Sequence, residues 1–267
     1  MNLAVFRHTV RQHWVRLVAV LIGLTVWGML MPIIYATFGV TLRDVIRQYP
    51  LLEQFMQFGG GSMFTLPGSI ALGYIHPIAI ALLAVFAIAY PLSVVAGERQ
   101  RGTLEVVLAR PLSRHAYLVT LFVAATLFIV VSIAATLIGT AVATIAVDYS
   151  AELDFGNLPW LWLHGSALYV TIAAISFAAS VSFDRVGPAA GITLAVVLIS
   201  YFLQVLGSLW PDAEWLQPYS LFYYLNPEPV LLDGVQPVDL VVLGVIAIAS
   251  IAYALFVFPR RDLAAPA

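Results

Sequence analysis

The sequence predicts an all-α integral membrane protein with six transmembrane helices, and three observations carry that reading. The 267 residues are 62% hydrophobic and only 10% charged, where soluble domains carry about a quarter charged residues. Apolar runs recur at the roughly 20-residue length that crosses a bilayer. Ten of the twelve cationic residues, all of them Arg, fall in segments that alternate with these runs on one side. The chain has no cysteine, which excludes disulfides and thiol chemistry.

Residues 1–16 hold Arg7, His8, Arg11, His13 and Arg16, with Leu3, Phe6, Val10, Trp14 and Leu17 at helical spacing. A basic amphipathic helix in the membrane interface fits this pattern; the plainer alternative is a basic flank of the first span. No small-residue cleavage site follows, so no removable signal peptide is expected. The spans are placed at about 17–38, 76–95, 116–147, 161–181, 187–209 and 239–258. The third exceeds bilayer thickness and should tilt or project. Its Ser132, Thr136, Thr140 and Thr144 repeat every four residues, a spacing that suits close helix packing better than a polar conduit.

The inner side would hold Arg7, Arg11, Arg16, Arg99, Arg101, Arg110, Arg114, Arg185, Arg260 and Arg261, leaving Arg43 and Arg47 outside. Both termini are therefore expected to be cytoplasmic. Between the first two spans, Leu42, Val45, Ile46, Tyr49, Leu52, Phe55 and Met56 predict an amphipathic helix on the outer leaflet, broken at Gly59-Gly60-Gly61-Ser62. Residues 210–238 are rich in Pro and aromatics. Their apolar pieces are too short to span, which predicts short re-entrant or interfacial helices, serving as an outer gate or as a structural cap with an aromatic belt.

The chemistry-bearing motifs of hydrolases, metalloproteases and nucleotide-binding loops are missing from the sequence. His8, His13, His76, His115 and His164 are scattered, so no metal site is expected. The spans carry no charged side chain at membrane depth. An ion-coupled transporter usually needs such a relay at membrane depth, so any uphill movement draws its energy from another chain. Asp184 and Arg185 form a tight turn between the fourth and fifth spans, where a local ion pair is the simple reading. Trp27 and Met31 on the first span and Tyr201 and Gln204 on the fifth are the mid-span groups that could line an amphiphilic path, or simply pack.

Against this background, Gly97–Arg114, reading GERQRGTLEVVLARPLSR, stands out with four Arg and two Glu in eighteen residues. Gly97 and Gly102 break the preceding helix. Thr103 can cap a new one, Glu105 sits in its first turn, Arg110 near its end, and Pro111 stops it. Leu104, Val107 and Leu108 give it an apolar face, and Ser113 can cap the third span. A short rigid helix with an apolar face and charged ends suits insertion into a partner's groove; a solvated positive-inside loop is the alternative.

The run Ala96–Glu105 followed by Leu108–Arg114 resembles the signature loop of ABC-2 type permeases. The Glu-x-x-x-Gly-Thr-Leu-Glu core and the later Pro-x-Ser-Arg are specific in combination, and the six-span layout with broken helices before the last span is similar too. By motif the resemblance covers Gly97 to Arg114; by architecture it covers most of the chain. It implies a single ABC-2, type V exporter-like transmembrane domain over 1–267, with 97–114 as the coupling loop that docks on a cytosolic ATPase. Glu98, Gly102, Thr103, Glu105 and Pro111 match the motif, and Arg99, Arg101, Arg110 and Arg114 belong to the same charged segment. Many members continue with Gly-Lys where this chain has Thr120-Leu121, a departure that bears on subfamily and substrate. The resemblance further implies a second permease copy or paralogue, ATP and Mg bound only by the ATPase partner, no cofactor in this chain, no nucleic-acid partner and residence in a prokaryotic cell membrane. The alternative is a stand-alone channel or scaffold.

Overall fold

A computed structural model describes residues 1–39, 64–108 and 112–261. The described residues are overwhelmingly helical, and six helices are long and apolar enough to cross a membrane: Leu3–Gly39, Pro77–Gln100, Arg114–Ala146, Phe155–Ser182, Val186–Leu209 and Pro237–Arg260. Each contains or nearly coincides with a span expected from the sequence. The predicted outer-leaflet helix at 42–57 and the glycine break at 59–62 lie outside the described residues.

The first helix, α1 (Leu3–Ile34), differs from the expectation of a separate interfacial segment at 1–16. It runs unbroken from Asn2, whose side chain accepts the Val5 N–H, into the span. Neither Gly nor Pro interrupts residues 3–22, so nothing stops the helix. Its buried stripe is continuous: Thr9, His13, Val20, Leu24, Trp27 and Gly28 follow helical spacing, while Leu3 and Trp14 stay exposed. A helix α2 (Leu66–Ile75) follows, capped by Thr65, almost wholly buried and too short to cross. The sequence reading assigned no element there, although Thr65 before Leu66-Pro67 is a helix-start signal. His76 has extended backbone (φ −68°, ψ 140°), as a residue before proline prefers, and separates α2 from α3 (Pro77–Gln100).

The third span, α5 (Arg114–Ala146), is capped by Ser113 as expected. Its Ser132, Thr136, Thr140 and Thr144 are all buried, with α1 its closest-packed partner. The approach is so tight that a side chain at Gly28 would collide with the Thr136 carbonyl, and one at Gly139 with that of Thr25. Close packing is thus what the small-residue stripe achieves. α6 (Leu158–Ser182) lies at the centre of the bundle, with Leu161, Leu168, Ala173, Phe177 and Ser176 fully covered. It packs on α7 (Val186–Leu209) and most closely on α9 (Pro237–Val257). Between α7 and α9 the chain forms 3-10 turns at Pro211–Tyr219 and Phe222–Leu225 and a short helix α8 (Pro227–Asp233), the broken pieces the sequence predicted.

Prolines inside the spans leave carbonyls that water would otherwise satisfy, and neighbouring hydroxyls take them up. Pro32 cannot serve the Gly28 carbonyl four residues back, and the Thr140 hydroxyl donates to it at 3.3 Å. In α3, Pro91 sits between two π-helical stretches, Val85–Ala89 and Ser93–Gly97. The Ser176 hydroxyl donates to Ala87 O at 2.7 Å and that of Ser180 to Pro91 O at 2.9 Å, while Ser180 Oγ also accepts the Ala96 N–H at 3.0 Å. Two serines one turn apart on α6 therefore stabilise the irregular winding that leads into the charged loop.

Candidate functional site

The charged loop is organised by the way α3 stops. Gly102 has φ +71°, the left-handed region that glycine enters without steric cost. The Gly102 N–H bonds Arg99 O at 3.0 Å and the Thr103 N–H bonds Glu98 O at 3.0 Å. This paired arrangement is a Schellman cap, with Gly102 just past the helix end. The Glu98 side chain locks it: its carboxylate accepts from Arg101 Nη2 at 2.6 Å and from the Thr103 hydroxyl. The Glu-x-x-x-Gly-Thr spacing is therefore a folding requirement of this turn. Thr103 directly precedes the next helix, whose cap the sequence predicts it to be, but its hydroxyl donates back to Glu98, which ties it to the end of α3.

Helix α4 (Leu104–Leu108) follows. Leu104 is fully buried in the bundle core and Leu108 packs against it. Of the expected apolar face, Leu104 and Leu108 thus hold the helix against its own spans. What faces outward is Arg101, Thr103, Glu105 and Val106, the last 71% exposed. Arg110 and Pro111 lie outside the described residues, as does the side chain of Val107.

Two arginines of the segment turn inward or sideways. Arg99 is buried and its Nη2 lies 3.1 Å from Asp184 Oδ1. The same oxygen lies 2.7 Å from Arg261 Nη2, and Arg261 Nη1 donates to Val181 O at 2.9 Å. Asp184, expected to pair within its own turn, thus joins the charged loop to the end of the sixth span. Gln100 Oε1 accepts the Val186 N–H at 3.0 Å, fixing the first residue of α7. Arg114 Nη1 donates to the carbonyls of Pro259 and Arg261, both at 3.0 Å. The Asp184 carboxylate is 45% exposed, so each pair contributes about 0–1 kcal/mol, although the buried Arg99 guanidinium raises the cost of losing its partner.

The N-terminal end of α1 lies beside this loop. Asn2 N–H donates to the Thr120 hydroxyl at 2.8 Å, which gives a purpose to a position the sequence marked only as a departure from Gly-Lys. A cavity of about 490 Å³ separates the two segments, lined in part by His8, Gln12, His13, Glu98, Val106 and Tyr117. Both described ends of the chain, residues 98–108 and Arg114 therefore share one end of the bundle.

The four candidate path residues meet different partners in two pairs. Trp27 is buried, donates from Nε1 to Gly73 O at 2.8 Å and lies against the His76 ring at 4.7 Å. Met31 packs on Gly73 of α2. Tyr201 meets the Phe222 ring edge-on at 5.7 Å, and Gln204 is buried at the turn where Gln217 bonds back to α7. In the described residues each pair thus faces a short helix or turn near the Arg-poor end. Among those residues no three His, Asp or Glu converge as a metal ion would require.

A search of curated proteins returns no match. The family model described as ABC-2 family transporter protein matches residues 5–263, which takes in all six spans and the capped loop between the second and third. With nearly its whole length covered, the chain belongs to the ABC-2 family of transporter proteins, the membrane permease components of ABC transporters.

Proposed function

We propose that this chain is the permease subunit of an exporter driven by a separate ATPase, and that the outward surface of Arg101, Thr103, Glu105 and Val106 is where that ATPase docks. The observation that carries the reading is the Schellman-capped turn with α4 behind it. Its apolar residues are anchored in the core while its charged and exposed residues project. A rigid projection of this kind transmits a push, whereas a solvated loop would absorb it. The positive-inside rule puts this end in the cytoplasm, where ATP is. ATP and Mg would be bound by the partner, and two permease copies would stand side by side. The outward faces of α7 and α9, including the exposed Leu198, Phe202, Val241 and Ile248, suit lipid and a second copy. The cargo class that fits a membrane-embedded, relay-free route is an amphiphile, a drug, lipid or peptide moved outward.

Co-expression with an ABC ATPase encoded beside it tests this reading. The unsubstituted chain should retain the ATPase through purification, and Glu105→Ala or Glu98→Ala should weaken that retention and the permease-dependent ATP turnover. Unchanged binding and turnover in both variants would remove the docking assignment. Solute leakage through liposomes holding the chain alone would favour the stand-alone channel instead.

A further inference from the structure

The ion pairs of Asp184 join three parts of the chain that are remote in sequence. Arg99 is the second residue of the helical turn leading into the Schellman cap, Asp184 lies in the turn between α6 and α7, and Arg261 follows the sixth span. One carboxylate oxygen receives both guanidinium groups, at 3.1 and 2.7 Å. Arg261 is itself held on the Val181 carbonyl at the end of α6, and Gln100 holds the first N–H of α7. The arrangement has an asymmetry. Arg99 is buried, whereas Asp184 is half exposed. A half-exposed carboxylate shared by two cations can pass from one to the other at small cost, because water replaces whichever contact is released.

We infer that Asp184 is a positioning residue through which displacement of the charged loop reaches the fourth, fifth and sixth spans. The inference rests on the permease reading above and deepens it. Arg99, although part of the loop that faces the ATPase, points into the bundle and delivers the movement. Asp184 receives it and carries it to the start of α7 and, through Arg261, to the end of the sixth span. Without Asp184 the loop would still bind its partner but would move alone.

The absence of native cysteine makes the test direct. A single Val238→Cys places a thiol at a residue 72% exposed, at the start of α9 and at the opposite end of the bundle from Asp184. The rate of labelling by a water-soluble maleimide is measured on the permease–ATPase complex in liposomes, with and without ATP. The Asp184→Asn variant should keep ATPase binding and lose most of the ATP-dependent change in labelling. Asp184→Glu should restore it. Arg261→Gln, which leaves the Arg99–Asp184 pair in place, should lose the change as well, and it serves as the second variant should Asp184→Asn not fold. A wild-type ATP-dependent change in both Asp184→Asn and Arg261→Gln overturns the clamp and leaves the permease reading intact. Loss of ATPase binding in Asp184→Asn also overturns it, because the residue would then belong to docking. An unsubstituted chain that retains no ATPase overturns the permease reading and the clamp with it.

Discussion

Gly102 shows how much a single residue decides in this protein. Its φ of +71° is what lets Thr103 and Gly102 return their N–H groups to Glu98 and Arg99. An alanine there carries the left-handed penalty of about 1–2 kcal/mol. Asparagine tolerates that conformation better and caps helices in the same way. Gly102→Ala is therefore expected to loosen the turn and speed tryptic cleavage after the exposed Arg101, with Gly102→Asn close to the parent. Equal cleavage rates in parent, Ala and Asn forms would contradict the cap. The Gly and the Glu before it were legible in the sequence as a break and a charge. The paired hydrogen bonds that make them one unit were not, since they depend on α3 ending at that residue. Asp184 was legible only as part of a turn, because its partners Arg99 and Arg261 lie 85 and 77 residues away in the chain.

At the scale of the element, the spans were readable from apolar run length, and their irregularities from proline. The repairs were less so. Nothing in the local sequence of α3 says that Ser176 and Ser180 of α6 will meet Ala87, Pro91 and Ala96. Replacing Ser176 by alanine should cost about 0.6–2 kcal/mol, the range for hydrogen bonds between membrane helices. The cost should shrink in a Pro91→Ala background, where residue 91 regains an N–H that can serve the helix itself. Thermal unfolding of the detergent-purified chain completes this double-mutant cycle; additive losses would show that the serine does not compensate for the proline. Helix α2 went unassigned because its ten residues match neither a span nor an amphipathic surface helix. It is buried all round, a pattern that periodicity does not separate from a fragment of a span. The basic residues at 1–16 also read as a unit of their own. The helix nonetheless continues through them, because interfacial and spanning segments share one period and no breaker divides them.

Across the whole molecule, the two ends have different characters. The Arg-rich end gathers the start of α1, the capped loop, the α6–α7 turn and the end of the sixth span, tied by Asn2–Thr120, Arg114–Pro259 and the Asp184 pairs. The opposite end holds α2, the 3-10 turns and α8, with Thr65 before α2 bonded to Glu228 of α8, and there Tyr35 at the end of the first span also donates to Glu152 in the connection after the third. Under the proposed function a push at the first end must cross the bundle to be useful at the second, and the tight α1–α5 packing offers a route for it. The proposed coupling therefore requires that the projecting face of the loop be the place of contact. Single cysteines at Val106 and at Tyr219, 71% and 73% exposed at opposite ends, test this most directly. With a short thiol-to-amine cross-linker added to the co-purified complex, Val106→Cys should be joined to an ATPase lysine as a permease–ATPase adduct, and Tyr219→Cys should give none. An adduct from Tyr219→Cys, or a purified complex in which Val106→Cys gives no adduct, would contradict it.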